Sequence, residues 1–330
     1  MKVLVIGASG QLGKCIYDEV EYIFNMGLLN NEYYFATHDM FDITDISSME
    51  NYIYSYLKPD CIINCAAYTN VERAEDDIVG AFNVNSKGVN NLVNVCNKYD
   101  IMLFHISTDY VYDSGICYED SKLNPLGIYA QSKRDGEIFI ENSNLNKWFI
   151  FRTSWLFSEY SGNYVTNILK RTDNVTNLLY GVTDEIGCPT YARRLAKIIV
   201  GIIDNSTYEI MDNGIYNTCG NGYVSRYEFT KKIIEGYIEL DVFRKKHKTT
   251  VEYTYYSKLL SVNPITQDEA YKIFNLNAPR PKEVVMSNSK LNDVLYKDNT
   301  FRQYDLYENW TYDLGDCLLR YNKLHINDKK

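Results

Sequence analysis

The sequence predicts an α/β chain built on a doubly wound parallel sheet, with a smaller carboxyl-terminal lobe. Three observations predict it. Strand-like and helix-like segments alternate through the first 155 residues. The first strand is continuously apolar, as a strand buried on both faces must be. A glycine-rich turn joins that strand to the first helix, with the spacing of a Rossmann-type nucleotide cradle.

Each element follows from its pattern. Lys2–Gly7 is the apolar strand, and Gln11 to about Met26 carries apolar residues at helical spacing. Tyr33–Thr37 reads as a strand, Ile46–Leu57 as a helix stopped by Pro59, and Asp60–Cys65 as a strand. A helical stretch runs from Ile78 to Tyr99. Ile101–Ser107 is a strand, Tyr129–Asn142 a helix and Trp148–Thr153 a strand. Alternation of this kind gives parallel strands with helices on both faces. Asn177–Val182 and Gly214–Cys219 read as strands returning to the first sheet, with a helix at Tyr191–Asp204 between them. The expected division is therefore 1–155 plus about 177–220 for the dinucleotide domain, and about 156–176 and 221–330 for the second lobe. The stretch 241–280 reads as including a surface insertion.

Composition narrows the classes. The chain has 330 residues, 45% of them hydrophobic, and a net charge of −9. Wholesale disorder and a basic nucleic-acid face are both disfavoured. The densest basic run, Arg244–Lys248, reads as a solvated surface. No leader or membrane span is read at the start, so a cytoplasmic location is expected. The 8 cysteines lack the paired spacing of a zinc site, and no metal is expected. Cys61 and Cys65 read as buried thiols in a strand.

Gly7-Ala8-Ser9-Gly10-Gln11-Leu12-Gly13 has the spacing GxxGxxG. Glycine is needed where the chain turns sharply and its backbone approaches a pyrophosphate, and the helix amino terminus then offers free N–H groups. The alternative reading is a merely tight structural turn. Beyond the second strand stand His38, Asp39 and Asp42-Ile43. No clean acid marks NAD there and no arginine marks NADP, so weak discrimination between the two is expected. Asp42 and Ile43 flank the adenine on one reading; on another Asp42 caps the next helix.

Tyr129-Ala130-Gln131-Ser132-Lys133 is YxxxK, which places Tyr129 and Lys133 on one helical face. A lysine there lowers a tyrosine's pKa and makes it a usable proton donor. In a chain with 31 tyrosines the motif alone is weak. It gains force from Thr108, at the carboxyl end of the fourth strand, where such sheets bind ligands. Thr108, Tyr129 and Lys133 together supply an oxygen anchor, an acid/base and a cation.

Other motifs complete a series: FDITD at 41–45, NCAAYTNVERAE at 64–75, STDYVY at 107–112, NPLGIYAQSKRDGE at 124–137, RTSWLFS at 152–158, DEIGCPT at 184–190, GIYNTCGNG at 214–222 and APRP at 278–281. In this order the chain resembles the extended short-chain dehydrogenase/reductases, and within them the dTDP-4-dehydrorhamnose reductase branch. The resemblance covers about positions 1–290. It implies reduction of the 4-keto group of a nucleotide-linked 6-deoxy sugar, with NADP(H) favoured and NAD(H) as the alternative. It implies that Gly7, Gly10, Gln11, Leu12 and Gly13 hold the pyrophosphate. Asp42 and Ile43 would touch the adenine, and Ala66, Ala67 and Tyr68 would line the ribose-phosphate path. Thr108, Tyr129 and Lys133 would be catalytic, with Tyr129 and Lys133 also meeting the cofactor. Val71, Thr108, Asp109, Tyr110 and Trp155 would contact the sugar nucleotide, although Val71 and Trp155 also read as core residues. A homodimer is left open.

The chain departs from the branch at Glu185, where glutamine is usual, and in the segment Lys282–Ser287. Two rivals stay open. One is an epimerase or dehydratase of the same superfamily; the chain lacks the usual Asp-Glu pair of a dehydratase. The other is a non-catalytic cofactor-binding subunit resembling the β subunit of methionine adenosyltransferase. Keto-sugar turnover separates them.

Overall fold

Residues 1–160, 162–172, 178–244, 261–298 and 309–325 are described by the computed structural model. The chain runs β1 (Lys2–Ile6), α1 (Gln11–Asn25), β2 (Glu32–Ala36), α2 (Ile46–Ser55), β3 (Cys61–Asn64), α3 (Val71–Asp76) and α4 (Ile78–Phe82). A π-helical turn (Asn83–Gly88) leads into α5 (Val89–Tyr99), β4 (Met102–Thr108), β5 (Gly115–Cys117), α6 (Ile128–Glu141) and β6 (Trp148–Thr153). Next come β7 (Leu156–Phe157), α7 (Tyr164–Thr172), β8 (Leu179–Val182), β9 (Ile186–Gly187), β10 (Thr190–Tyr191), α8 (Ala192–Asp204) and β11 (Gly214–Asn217). The remainder is β12 (Val224–Ser225), α9 (Arg226–Arg244), β13 (Val262–Ile265), α10 (Gln267–Phe274), β14 (Val284–Met286), α11 (Ser289–Lys297) and α12 (Trp310–His325).

The central sheet has the order β11-β6-β4-β3-β1-β2, with every pairing parallel. Successive residues of a strand face opposite ways, so a strand covered on both faces is apolar along most of its length, and the polar residues of this sheet gather toward the carboxyl ends of β3, β4 and β6. Val3 and Val5 pack with α1, α8 and α11, whereas Leu4 and Ile6 pack with α2, α5 and α6. The strand order reverses between β1 and β3, because the chain leaves β1 for one neighbour and returns to the other side. Ligands of such sheets sit at that reversal, beyond the carboxyl ends.

One expected strand does not join this sheet. Leu179–Val182 pairs in parallel with β13, away from the centre. Its Leu179 is buried with Phe157, Phe229 and Trp310 in a cluster separate from those that flank the central sheet. The other expected strand does return, as β11 beside β6. Conversely α11 lies within the span read as second lobe, yet Leu291 and Leu295 are buried against the central sheet. Short apolar segments do not declare which core they join. Of the basic run, Lys245–Lys248 lies outside the described residues, as do residue 177 and residues 245–260 of the stretch 241–280; the rest of that stretch holds the end of α9, β13 and α10.

Candidate active site

The glycine cradle is built by contacts that forbid a side chain. Gly7 has φ 73°, and a Cβ there would lie 2.6 Å from the Ala66 nitrogen. A Cβ on Gly13 would lie 2.6 Å from the Ala8 Cα. These glycines bring the ends of β1 and β3 and the start of α1 together at the strand reversal. Gly10 caps α1, and no side chain accepts from the helix's first N–H groups. An uncapped amino terminus beside a close-packed glycine turn fits the pyrophosphate of a dinucleotide. Leu12 has its side chain in the core, so it can serve such a ligand only through its main chain. Gln11 donates from Nε2 to Leu156 O (3.3 Å) and accepts from Ser158 and Asn163. Its side chain is thus committed to β7 and the segment that follows it.

The adenine-side pair divides. Asp42 accepts from the N–H and hydroxyl of Thr44, both at 2.8 Å, and lies 3.5 Å from His38. It is not the cap of α2; Asp45 is, accepting from Ser47 and Ser48. Ile43 is 3% exposed, with its side chain in the core beneath α2 and α5, so an adenine contact would have to come from its main chain. Ala66, Ala67 and Tyr68 follow β3 and are half-buried. Asn85 of the π-helical turn holds Tyr68 at both N–H and C=O, at 2.9 and 3.0 Å, and also donates to Ser132 on α6. The π turn therefore aims one side chain at two segments of the site.

Thr108 and Tyr129 meet where β4 faces α6, while the Lys133 side chain reaches β4 two residues earlier, at Ile106. Desolvation pushes the Tyr129 phenol up to about 12; the Thr108 hydroxyl pulls it down and Asp109 adds to the rise. The downward pull expected from Lys133 is thus supplied by Thr108. The Lys133 ammonium instead donates to Ile106 O at 2.7 Å and lies 3.4 Å from His105 Nε2. It is 2% exposed, and burial lowers its pKa to about 8. A phenol with a raised pKa is fully protonated at neutral pH, as a proton donor must be.

Of the expected sugar contacts, Asp109 and Tyr110 adjoin this centre. Tyr110 meets Tyr129 edge-to-face at 5.8 Å. Asp109 is 3% exposed, accepts from the Ser154 hydroxyl at 2.6 Å, and is raised to about 6 by burial. Trp155 takes the left-handed conformation, φ 42°, and its indole carries the Arg226 guanidinium 3.4 Å from the ring centre. Arg226 in turn binds Glu185 at 2.9 Å. The departure from glutamine at 185 thus has a structural counterpart, a carboxylate that fixes the cation on Trp155. Val71 opens α3 and is half-buried.

Several supporting residues carry no mark of their role in sequence. Glu137 and Arg152 form a two-point ion pair at 2.9 and 2.7 Å with both side chains 0% exposed, locking α6 to β6. Glu75 accepts from Ile128 N at 2.8 Å, capping α6 from α3. Glu72 accepts from Asn277 and Ala278 and binds Arg280, tying α3 to the APRP segment. All lie inside quoted motifs, but nothing local tells a carboxylate which distant donor it meets.

Comparison with known proteins agrees with this geometry. The model of a family described as the RmlD substrate binding domain matches residues 1–313. The dTDP-4-dehydrorhamnose reductase of Aggregatibacter actinomycetemcomitans is 35% identical over 240 residues, 71% of this chain and 78% of that protein. A crystal structure of a dTDP-4-dehydrorhamnose reductase from Clostridium acetobutylicum is similar with a TM-score of 0.77 and 27% identity, covering 97% of this chain and 99% of that one. The dTDP-4-dehydrorhamnose reductase of Bacillus anthracis, solved in complex with NADP, is similar with a TM-score of 0.73 and 28% identity over 97% and 99% of the two chains.

Proposed function

The chain belongs to the RmlD substrate binding domain family, and from that premise we infer that it reduces the 4-keto group of a dTDP-linked 6-deoxy sugar with NADPH. The observation that carries this is the placing of Thr108 at the end of β4 and of Tyr129 at the start of α6, where Tyr110 packs edge-to-face on Tyr129 at 5.8 Å, on a sheet whose carboxyl edge also carries the uncapped start of α1. When bound, the reduced dinucleotide supplies the hydride. Thr108 holds the carbonyl oxygen with its hydroxyl. Tyr129, protonated at neutral pH, gives its proton to that oxygen as negative charge develops on it. Lys133 provides positive charge on the same helical face.

The sugar end of the substrate lies among Val71, Asp109, Tyr110 and Trp155 on this reading, and the nucleotide extends toward the second lobe. Binding energy from the nucleotide orients the carbonyl against Thr108 and Tyr129. The dinucleotide domain comprises 1–155 with the returning α8, β11 and α11; the second lobe is built around Phe157, Phe229 and Trp310. Both substrates carry phosphates that do not cross membranes, so a cytoplasmic location belongs to the proposal. Among the described residues, no helix is long and apolar enough to span a membrane. Light scattering decides whether two copies pair.

Tyr129→Phe keeps the ring and removes the proton. It should lower kcat at least about 100-fold, the low end of what a positioned acid contributes, with NADPH affinity near wild type. A purified variant that retains most of its kcat would remove Tyr129 from the mechanism.

A further inference from the structure

Beneath Lys133 lies a buried chain of polar groups that the reaction scheme does not use. His105, 0% exposed, sits on β4 directly opposite Asn64 of β3. Asn64 Oδ1 accepts from Ala66 N at 3.0 Å, which fixes the orientation of the amide. Its Nδ2 therefore faces His105 Nδ1, at 3.0 Å. An amide nitrogen only donates, so Nδ1 must accept, and the single proton of a neutral imidazole then resides on Nε2. Nε2 points at Lys133 Nζ, 3.4 Å away.

Nζ already donates to Ile106 O. An ammonium facing an imidazole N–H sets two positive hydrogens head to head, whereas a neutral amine accepts that N–H and keeps its bond to Ile106 O. We propose that His105, locked by Asn64 in its Nε2–H form, is a positioning residue that holds Lys133 ready to give up its proton. The proposal rests on the reductase reading. Once Tyr129 has protonated the product oxygen it is a phenolate. The proton lost by Nζ reaches the phenolate by way of intervening water and forms the new O–H bond on Tyr129, the N–H electron pair stays on Nζ, and the amine regains a proton from water.

Burial holds His105 well below its ordinary pKa, with Lys133 adding to the effect, so the ring stays neutral. The groups facing Lys133 are consistent with a poised amine. Glu137, one turn along α6, favours the ammonium but is engaged by Arg152 of β6 and by Arg134. Cys65, following β3, also favours it, while burial opposes it. Asp135 on α6 is bound by Ser86 of the π turn. Tyr129 stands one turn back on the same helix.

Two variants and one spectrum test this. In His105→Phe the opposing N–H is gone, so the alkaline limb of kcat should move up by about one pH unit or more. His105→Gln keeps an acceptor and a donor on one short planar group and should restore the wild-type limb. A merely structural His105 would lower the stability of both variants without moving the limb. An unmoved limb in His105→Phe, or a failure of His105→Gln to restore it, overturns the proposal. Nitrogen-15 correlation spectra of the wild-type protein, without substrate, should show Nε2 protonated and Nδ1 bare between pH 6 and pH 8. The opposite tautomer, or a charged ring, overturns it even if the variants fail to fold. Absence of wild-type turnover would instead defeat the reductase reading, and the spectrum would still decide the tautomer.

Discussion

Around Gly7 and Gly13 the chain is specified by what its backbone can tolerate, whereas around Trp155 and Arg280 it is specified by paired charges. At the sheet's edge a single added Cβ meets backbone at 2.6 Å, and no side-chain adjustment relieves that. Around Trp155 and Arg280, Arg226 is held by Glu185 and Arg280 by Glu72, each a contact between segments far apart in the chain. The first kind of specification is local and leaves a mark in the sequence. The second depends on pairing that only the folded chain creates. Helix α6, which carries Tyr129 and Lys133, is set on its sheet by Glu137 and Arg152 and capped from α3 by Glu75.

The comparison breaks first at that helix. Glu137→Gln leaves the fully buried Arg152 guanidinium without its carboxylate. Removing one partner of a buried pair costs about 3–5 kcal/mol, which should appear as a large drop in the denaturant midpoint, with kcat falling as α6 loosens. A midpoint near wild type would show that packing alone seats the helix.

Asp109 gives a smaller effect with a definite sign. Its folded pKa, about 6, lies above the unfolded value of roughly 3.9. Between those values the folded chain binds more protons, so stability falls as pH rises through this window. The full cost, about 3 kcal/mol, is present above the folded value. Asp109→Asn should remove it, so the variant's advantage in denaturant midpoint should grow between pH 4 and pH 7. An offset independent of pH would mean that Asp109 is not ionising in a buried setting.

Glu72→Gln probes the charge-held side most gently. Burial raises this carboxyl, but the N–H of Asn277, Arg280 and the N–H of Ala278 bring it below its ordinary value. Its contribution is therefore present above the unfolded pKa and lost as pH falls through the folded one. The side chain is 34% exposed, so the loss should be about 1 kcal/mol or less. Because Glu72 neighbours Val71, KM for the sugar nucleotide should rise severalfold while kcat changes little. An equal fall in kcat would move Glu72 into the chemistry.

The same contrast explains what could be read in advance. The strands of the central sheet, the glycine turn and the Tyr129–Lys133 face all follow from short-range pattern, and the structure has them within a few residues of the expected bounds. Leu179–Val182 pairs with β13 and not with the central sheet, because an apolar strand of this length fits either core. Ile43 reads as an adenine contact in its motif, yet its side chain fills the core under α2. His105 lies inside an apolar strand with nothing around it in sequence to mark a role. Its partners Asn64 and Lys133 come from β3 and α6, and only the parallel register sets it beside Asn64. The long-range carboxylates Glu72, Glu75 and Glu137 were hidden for the same reason.

The most direct measurement compares kcat/KM for dTDP-4-dehydrorhamnose and for the free keto sugar, with NADPH oxidation followed by absorbance. The account predicts rapid turnover of the nucleotide-linked sugar and little or none of the free one, with kcat lost as well as affinity, because the nucleotide's binding energy orients the carbonyl against Thr108 and Tyr129. Equal values for the two sugars, or NADPH binding with no keto-sugar turnover, would contradict it.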